Sequence, residues 1–470
     1  MELLNSIVGQ INDVLWSYIL IILLIGAGIY FTLRFGFVQL RFIGEMVRLI
    51  VGGAGSSTGK DQISSFQAFC VSTASRVGVG NIAGIAIAIV TGGPGAIFWM
   101  WVIAVLGSAT GFVESTLAQI YKVPRTDGKG FLGGPAYYIS NALHCPKVAV
   151  FFAVLISITY GLIFNSVQAN TLSLSLQTAF GFEADAVGIV IAVLAAAIVF
   201  GGLQRIAKVA EFMVPVMAGI YLLTAIGITL YNITELPGVI GLIFSNAFEA
   251  DSVLGGGFAA AVMTGIKRGL FSNEAGMGSV PNAAATADVQ HPVQQGLVQA
   301  FGVFLDTLII CSASAMIVLF SGEYHSTGLT GIQLIQYDLS LYFGQFAVVG
   351  VAVLIVLFAF SSIIGNYYYG EINIQHLTDN KLYLNIFRVL LALMVFFGSV
   401  AELNLVWNLA DLFMALMAIT NVISILFLGK YALIALKDYR AQKKSGIKNP
   451  VFKADIMPSQ DGIFWWKSKK

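Results

Sequence analysis

The sequence predicts an all-α polytopic membrane protein, and three observations lead to that fold class. Its 470 residues are 57% hydrophobic and only 10% charged, whereas about a quarter of the residues in soluble proteins are charged. The apolar residues form long runs, and a run of roughly 20 is enough for a helix to cross a bilayer. Among the loops between these runs, Lys and Arg occur only in alternate ones. The net charge of +1 gives no sign of nucleic-acid binding.

The apolar runs mark eleven candidate transmembrane helices, of which the first stands apart as an accessory. In chain order they are Asp13–Leu33, Ile63–Thr91, Pro94–Tyr121, Lys147–Leu176, Ala186–Leu203, Glu211–Tyr231, Val253–Ala287, Val293–Phe320, Gln345–Gly370, Asn385–Val400 and Asn404–Leu428.

The distribution of basic residues predicts the orientation of these spans. The loop 34–62 carries Arg34, Arg41, Arg48 and Lys60, which places it in the cytoplasm. Alternating from there, every segment assigned to the outside lacks Lys and Arg, and the tail after the last span is basic. The N-terminus is therefore expected outside and the C-terminus in the cytoplasm.

Glycines and polar residues interrupt the second span at Ala74–Asn81, "ASRVGVGN". Glycine and asparagine are poor helix formers, and in lipid an opened backbone is tolerated only where it is buried or lines a cavity. Close helix packing through Gly80 and Gly84, a small-xxx-small pair, is the alternative explanation. A second, similar interruption later in the chain favours a broken helix over close packing.

That second interruption is "GLFSNEAGMGSVPN", Gly269–Asn282, five spans after the first. Paired broken segments in corresponding positions of two halves are typical of secondary transporters with inverted repeats. An odd number of spans in each half gives the two halves opposite orientations. The resulting plan has an accessory helix and loop at 1–62, a first repeat at 63–231 broken at 74–81, a second repeat at 253–428 broken at 269–279, and a tail at 429–470.

Broken helices in the middle of a membrane have a particular chemistry. The free N–H groups and the positive end of a half-helix can hold a carboxylate, and free C=O groups can coordinate a cation. Glycine permits the open backbone and its close approach to a ligand. A pair of such breaks therefore suits a zwitterion, such as an amino acid, accompanied by a cation.

Five motifs resemble those of the alanine or glycine:cation symporter family, also called the sodium:alanine symporters. They are "RVGVGNIAG" (Arg76–Gly84), "GGPGAIFWMWVIAVLG" (Gly92–Gly107), "NSVQAN" (Asn165–Asn170), "GLFSNEAGMGS" (Gly269–Ser279) and "FSSIIGNYYYGE" (Phe360–Glu371). The resemblance extends over about 12–428. It implies a leucine-transporter-like fold and sodium-coupled uptake of alanine, glycine or a similarly small amino acid. It implies no enzymatic activity, and no cofactor besides sodium as coupling ion.

The resemblance also implies which residues hold the substrate and the ion. Amides of the first break would bind the substrate carboxylate, facing the second break and a glutamine of the third core helix. The substrate-binding residues would be Val79, Gly80, Asn81, Gln168, Phe271, Ser272, Asn273 and Gly276. For sodium, the carbonyls of Ala74 and Val77 would pair with the hydroxyls of Ser361 and Ser362. Ordinary helix packing is the alternative role of the two serines.

Phe271 and Met277 flank "SNEAG" in the second break and are expected to limit substrate size. Large apolar side chains there would leave room for a hydrogen or methyl group on the α-carbon but would clash with a branched chain. The alternative is that both side chains pack against neighbouring helices and never meet the ligand.

Charges inside the spans are costly unless they pair or function. They are Arg76, Glu114, Lys267, Arg268, Glu274 and Asp306. We expect Glu274 or Glu114 to pair with one of the basic residues, and Asp411, nearer a span end, to be solvated. Neutral oxygens suffice for Na⁺, whereas proton coupling needs a titratable group. Glu274, the only carboxylate inside either break, is therefore the candidate for an alternative proton-coupled symport.

Two further segments are expected at the inner membrane surface. "FLGGPAYYIS", Phe131–Ser140, is short and amphipathic and should lie along the membrane. The ending "FWWKSKK" combines aromatic residues with lysines, so it either contacts anionic lipid or is a disordered tail.

Two other functional classes fit the sequence less well. A channel would need a pore ring or fourfold internal repetition, and a membrane-embedded enzyme would need clustered acidic or histidine ligands. The expected partners are a small neutral amino acid, Na⁺ and the lipid bilayer, with no nucleic acid and no obligatory protein partner. The expected location is the plasma membrane of a bacterium or archaeon.

Overall fold

A computed structural model describes residues 2–52, 62–125, 128, 130–200, 203–249 and 257–466. Most of these residues are helical because in lipid the backbone N–H and C=O groups must be bonded within their own segment. The described residues contain one sheet, a hairpin of strands β1 (Val123–Pro124) and β2 (Phe131–Leu132). The predicted start of the seventh span, Val253, lies outside the described residues.

The helices up to residue 249 are numbered α1 to α11. They are α1 Asn5–Arg34, α2 Val38–Arg41, α3 Ile43–Val51, α4 Ser65–Arg76, α5 Ala83–Gly92, α6 Gly95–Ile120, α7 Pro135–Asn141, α8 Pro146–Phe180, α9 Ala184–Val199, α10 Leu203–Tyr231 and α11 Leu236–Asn246.

The remaining helices are numbered α12 to α18. They are α12 Gly257–Asn273, α13 Val280–Thr286, α14 Pro292–Ser321, α15 Gly331–Phe343, α16 Gln345–Leu377, α17 Lys381–Val400 and α18 Leu403–Lys444.

Among the described residues, eight helices are long and apolar enough to cross a membrane, and the bent pair formed by α4 and Val79–Gly92 makes a ninth span. The chain is therefore an integral, multi-pass membrane protein. The predicted count of eleven also needs α9, a shorter apolar helix, and the pair α12 and α13 to cross the membrane. That count, and the inverted repeat with it, stays a prediction.

Large apolar side chains cover much of the outer surface. Phe212, Leu223, Phe346 and Leu393 are each more than half exposed. A soluble protein rarely exposes so much apolar surface in contiguous patches, so these side chains mark the face that meets lipid. Most of the polar side chains named in the predicted breaks are buried instead.

The helices of the two halves contact one another in a matching pattern. Helix α6 packs on α14, α8 on α16 and α9 on α17, which pairs the second, third and fourth helices of the predicted repeats. The broken helices lie inside this arrangement, since α4 packs on α10 and α16, and α12 packs on α6. Both breaks are thus enclosed by protein, where an opened backbone is tolerated.

The start of the first broken helix is joined to the end of the second. Ile63, just before α4, forms a parallel bridge with Ala287, just after α13, and the Asp288 N–H donates to the Ile63 carbonyl at 2.9 Å. Ile63 follows a loop that the basic residues assign to the cytoplasm, and the alternation of the predicted spans assigns the loop after Ala287 to the same side. One end of the central site is therefore closed by backbone pairing.

The segment Phe131–Ser140 differs from the prediction that it lies along the membrane surface. Its helix α7 is buried, and the Tyr138 hydroxyl donates to the Asn421 side chain in α18. A side chain at Gly134 would overlap the side chain of Asn282 in α13. The small residues "GGPA" allow this helix to insert between α13 and α18.

The C-terminal tail folds back onto the same end of the molecule. The indole N–H of Trp466 donates to the Gln119 carbonyl at 2.8 Å, and the Phe452 N–H donates to the Gln290 carbonyl at 2.9 Å. The ammonium of Lys122 lies under Phe131, 3.8 Å from the ring centre. The described part of "FWWKSKK" thus packs on protein, while residues 467–470 lie outside the described residues.

Candidate functional site

The first break follows a well-defined helix start. Ser64 and Gln67 form a capping box at the start of α4, with both hydrogen bonds at 3.1 Å. The helix ends at Arg76, and a single 3₁₀ turn, Val79–Asn81, leads into α5. The segment Val79–Gly92 is bent by 59° from α4. A side chain at Gly78 would overlap the Ser362 hydroxyl of α16. Glycine is thus required here because α16 lies directly against the opened backbone.

Polar side chains from elsewhere bind the opened turn of the first break. The Val79 N–H donates to Oε1 of Gln168 in α8 at 3.1 Å, and the Gly78 N–H donates to Oδ1 of Asn81 at 3.2 Å. The structure therefore brings Gln168, a predicted substrate contact, to the amides of the first break. It also shows that those amides can hold an oxygen acceptor.

The second break lies between α12 and α13 and contains three positive φ angles, at Glu274 (57°), Gly276 (90°) and Gly278 (81°). The amides of Gly276 and Gly278 donate to the two oxygens of Glu114, at 3.0 and 3.2 Å. The Nδ2 of Asn421 donates to the same carboxylate at 2.7 Å. Glu114 thus holds the free N–H groups of this break, and Gly276, a predicted substrate contact, has its amide engaged by protein.

The two breaks meet through their polar and aromatic side chains. The Nδ2 of Asn81 donates to the Ser272 hydroxyl at 3.2 Å. A Cβ atom at Gly80 would lie 2.5 Å from the ring of Phe271. Asn273 lies beside them and donates to the Thr307 hydroxyl at 3.2 Å. Five of the predicted substrate-binding residues are thus gathered around one point, whereas Met277 is buried in the turn beyond Glu274.

Asp306 also lies at this point, although its sequence context predicted no role for it in the site. Its carboxylate accepts from Nδ2 of Asn81 and from the hydroxyls of Ser272 and Thr307. It is 1% exposed and lies in a π-helical stretch of α14, Phe304–Cys311. Single π turns inside α-helices often occur at functional sites. The signal in the sequence was a lone carboxylate within the apolar run "FLDTLII".

Aromatic rings cover the meeting point of the breaks. Phe271 packs between Phe164 and Trp407, with ring centres 4.8 Å away on each side. The guanidinium of Arg268 lies 4.6 Å from the centre of the Trp407 ring. One α12 turn therefore carries both the ring that touches Gly80 and the cation that lies above the aromatic cover.

The basic residues of α12 pair differently from the expectation. Arg268 donates to both oxygens of Asp411 in α18, at 2.8 and 2.6 Å, and Lys267 lies 3.5 Å from the same carboxylate. Asp411, expected to be solvated, is 2% exposed. The predicted pairing of Glu274 or Glu114 with a basic residue was wrong, because backbone amides and hydroxyls hold these two carboxylates instead.

Arg76 has neutral partners in the described structure. Its guanidinium donates to the carbonyl and the Oε1 of Gln299 at 3.3 and 2.7 Å, and to the Ser72 hydroxyl at 3.0 Å. A side chain at Gly302 would overlap this guanidinium. The charge lies at the C-terminal end of α4, where the helix dipole favours a cation.

Glu274 lies in a chain of hydroxyl and amide groups. Its two oxygens lie 2.9 Å from the Ser75 hydroxyl and 2.6 Å from the Ser279 hydroxyl. The Ser75 hydroxyl is also 2.7 Å from Oδ1 of Asn366, whose Nδ2 donates to Asn165. One serine proton cannot serve both acceptors at once. A proton on Glu274 would complete this chain.

The predicted sodium ligands lie where α4 meets α16. The Ser362 hydroxyl donates to the Ala74 carbonyl at 2.9 Å, and the Ser361 hydroxyl donates to the Phe358 carbonyl at 2.9 Å. Val77 lies at the break itself. A narrow crevice at this junction is lined by Ala74, Val209, Ala210, Met213, Ser361 and Ile364. Hydroxyl and carbonyl oxygens are the donors that hard cations prefer.

The chain is similar in sequence to two named transporters over most of its length. A probable sodium/glutamine symporter of Bacillus subtilis, GlnT, is 54% identical over 465 residues, covering 99% of this chain and 96% of that protein. A sodium/proton-dependent alanine carrier protein of a Bacillus strain, PS3, is 38% identical over 457 residues, covering 90% and 99%.

The fold is also found in solved structures of distant sequence. A manganese transporter of Eremococcus coleocola superposes with a TM-score of 0.56 at 13% identity, over 86% of this chain and 92% of that one. The profile of the sodium:alanine symporter family matches residues 1–454. The chain therefore belongs to the sodium:alanine symporter family and is a membrane transporter rather than an enzyme.

Proposed function

We propose that the chain imports a small neutral amino acid, such as alanine or glycine, together with sodium. The observation that carries this proposal is the contact between the two breaks, where Phe271 lies on Gly80 and Asn81 bonds to Ser272. An amino acid between them would place its carboxylate at the amides of the first break and its ammonium near Asp306. Such a zwitterion would offer its carboxylate to the N–H donors of the first break and its ammonium to the carboxylate of Asp306.

Steric limits at the first break support a small substrate. The Phe271 ring is held between Phe164 and Trp407, so its movement away from Gly80 requires the neighbouring rings to move too. Overfilling a packed pocket costs about 1–3 kcal/mol. That cost corresponds to a roughly 5- to 150-fold preference for a small side chain over a bulky one.

Glutamine is the second candidate substrate, and the 54% identity to a probable sodium/glutamine symporter favours it. A carboxamide side chain needs one acceptor and one donor when it is buried. Gln168 and Asn81 offer both kinds of group at the first break. A competition assay between alanine, glycine, glutamine and leucine separates the two candidates.

The coupling ion is proposed to be sodium, held between α4 and α16. The contact of Ser362 with the Ala74 carbonyl places two of the four predicted ligands within bonding reach of one another. An ion there would bridge the first break to α16, so its binding would favour the closed arrangement of these helices. Coupling follows because the same break also holds the substrate.

Proton coupling through Glu274 is the alternative, and the hydrogen-bond chain at Ser75 favours it. The hydroxyl of Ser75 lies within hydrogen-bonding distance of two acceptors but has only one proton to donate. A protonated Glu274 could itself donate to Ser75 and leave the serine proton for Asn366. A relative named as sodium/proton-dependent points the same way. Sodium and proton gradients imposed separately decide which ion drives uptake.

We place the N-terminus outside and the C-terminus in the cytoplasm of a bacterial or archaeal plasma membrane, in line with the positive-inside rule. In this orientation Arg268 and Asp411 lie on the outer side of the breaks, and the bridge of Ile63 to Ala287 lies on the inner side. Alternating access would open these two closures in turn as the two inverted repeats move against each other.

The test is uptake by the purified protein in proteoliposomes. Radiolabelled alanine should accumulate under an inward sodium gradient, with saturation, and unlabelled alanine or glycine should compete better than leucine. Strong competition by glutamine would show that glutamine, rather than alanine or glycine, is the substrate. Uptake driven by a pH gradient in the absence of sodium would show that the coupling ion is a proton. Amino-acid flux that neither saturates nor responds to either gradient would contradict the transporter mechanism itself.

A further inference from the structure

A basic groove lies where α1 ends, between α2 and the end of α18. Its volume is about 480 Å³. Its lining residues are Arg41, Phe42, Lys437, Arg440, Ala441, Lys443 and Lys444. Five of these seven residues are cationic, and none of them belongs to the transport site described above.

The turn after α1 brings two guanidinium groups together in this groove. Gly36 and Phe37 both have positive φ angles, 62° and 57°, so the chain reverses sharply into α2. A Cβ atom at Gly36 would lie 3.5 Å from Nη1 of Arg41 and 4.0 Å from both Nη atoms of Arg440. Both guanidinium groups therefore face the same point, and an anion there would offset the repulsion between their charges.

The neighbouring carboxylates leave most of this positive charge unpaired. Glu45 is engaged by Arg48 at 2.7 Å and by Lys443 at 3.0 Å, while Asp438 is bonded to His291 and Gln442. In the part of the chain that the structure describes, no carboxylate pairs with the other four cations. These are Arg41, Lys437, Arg440 and Lys444.

The groove lies at the level where the apolar part of α1 ends. Arg34 closes that helix, and the Phe35 carbonyl one residue later accepts from Nη2 of Arg440 at 3.1 Å. Beside the groove, α2 and α3 expose Leu40, Ile43 and Val47, each more than 40% exposed. Cations and an exposed apolar face thus lie side by side at the membrane boundary.

We propose that this groove binds the phosphate of an anionic membrane lipid, with the acyl chains lying on Leu40, Ile43 and Val47. Arginine pairs bind phosphate oxygens through two parallel N–H donors, and basic pockets at membrane boundaries hold anionic head groups. Arg440 is already oriented by its carbonyl contact and by stacking 5.1 Å from the ring centre of Phe42. The inference is independent of which amino acid or ion the protein carries.

The experiment is native mass spectrometry of the full chain in detergent, titrated with phosphatidylglycerol and, separately, with phosphatidylcholine. The wild type should retain phosphatidylglycerol in preference. The double variant Arg41→Gln/Arg440→Gln should bind it about 30-fold more weakly, since each basic residue contributes to the attraction. The matched control Arg34→Gln/Lys430→Gln removes two charges that do not line the groove and therefore cannot contact a phosphate bound in it, so its affinity should stay within about twofold of wild type.

A parallel titration with inorganic phosphate distinguishes the source of the anion. If phosphate alone displaces phosphatidylglycerol and binds the wild type as tightly, the groove is a site for a free anion and the lipid assignment is overturned. Equal weakening in both double variants also overturns it. If Arg41→Gln/Arg440→Gln fails to fold, Lys437→Gln/Lys444→Gln carries the test, with the same expected preference loss and the same control.

Discussion

Gly80 is required at the first break because a neighbouring side chain packs directly against its backbone. The ring of Phe271 occupies the space that a β-carbon would need, 2.5 Å from its ideal position. At Gly78 the Ser362 hydroxyl plays the same part. The glycines of the first break therefore serve close approach as well as backbone freedom, and a methyl group at either one must displace a neighbour.

The substitution Gly80→Ala should abolish or strongly reduce transport while leaving the fold intact. Its methyl group would push the Phe271 ring, and overpacking of this kind costs about 1–3 kcal/mol. Uptake in proteoliposomes, with monodispersity in detergent as the folding check, measures the effect. The control is Gly219→Ala in α10, where nothing lies within 4 Å of the added atom. Wild-type kinetics in Gly80→Ala would refute the close-approach argument.

The substitution Ser362→Ala should weaken the apparent sodium affinity by about tenfold, the effect of losing an interaction of ~1.4 kcal/mol. The hydroxyl that it removes contacts the Ala74 carbonyl at the first break. Ser361→Ala should act in the same direction. Alanine affinity at saturating sodium should change much less in both variants, as initial uptake rates would show.

Ser424→Ala is the matched control for the sodium experiment. Ser424 is also a buried serine in a long helix, but its hydroxyl donates to the Thr420 carbonyl within α18. If Ser361→Ala and Ser362→Ala keep the wild-type sodium dependence, as the control Ser424→Ala should, the ion binds elsewhere. A pH-driven uptake that survives these variants and is lost in Glu274→Gln would point to protons.

At the level of helices, the sequence predicts where helices lie along the chain but not which side chains pair between them. Apolar runs of about 20 residues coincide with the eight or nine spans that the described residues support, since lipid imposes helices. Mid-run glycines mark the two places where helices are interrupted, after Arg76 and after Asn273. The partner of a buried charge is different, because it depends on tertiary packing. Asp411 lies 143 positions from Arg268, and nothing in the local pattern of either residue specifies the other.

The second break illustrates the same limit through Glu114. Its place within a span predicted a functional or paired charge, yet the acceptors of a carboxylate can serve backbone amides as well as basic side chains. In the structure, the backbone N–H groups of Gly276 and Gly278 donate to the Glu114 carboxylate. Likewise, Asp306 could be recognised as unusual in its apolar run, but its contact with Asn81 arises only when α5 and α14 are packed.

The substitution Glu114→Gln should destabilise the second break. A carboxamide offers one oxygen and one NH₂ group, so the NH₂ must face one of the two glycine N–H donors. Leaving a buried donor unsatisfied costs about 1–3 kcal/mol. Thermal unfolding in detergent should therefore occur at lower temperature than in wild type, and uptake should fall with it.

The control for this variant is Glu183→Gln at the start of α9, an exposed carboxylate that makes no side-chain capping bond. It removes the same charge without disturbing a buried amide. Equal stability of Glu114→Gln and Glu183→Gln would show that Glu114 does not hold the break closed.

Over the whole molecule, the two ends of the central site are closed by different means. On one side, Arg268 and Asp411 form a buried ion pair over the aromatic cover of Trp407. On the other side, the bridge of Ile63 to Ala287 lies beside the hairpin and the C-terminal tail, because the Lys122 amine donates to the Ala287 carbonyl and lies against the rings of Phe131 and Trp466. Removing one partner of the buried ion pair is costly, so substitution of Arg268 or Asp411 tests the first closure. The second closure is tested through the side chains that pack beside the bridge.

The tail closure can be tested through Lys122, whose amine donates to the Ala287 carbonyl at 2.9 Å beneath the docked tail. Burial lowers the pKa of Lys122 from its ordinary 10.5 to about 7, although the charge of Asp288 raises it in part. Release of the tail would expose the amine and restore its ordinary pKa. The docked state therefore binds the proton less tightly than the released state.

Docking of the tail should consequently strengthen as the pH rises from about 7 towards 10.5, and it should be weakest and constant below about 7. Hydrogen exchange at residues 452–463, corrected for the intrinsic pH dependence of exchange, measures this as rising protection. The variant Lys122→Met should remove the pH dependence. Lys147→Met, which changes an exposed lysine, should keep it. Protection that is flat with pH in the wild type, or equally pH-dependent in Lys122→Met, would show that docking is not linked to this amine.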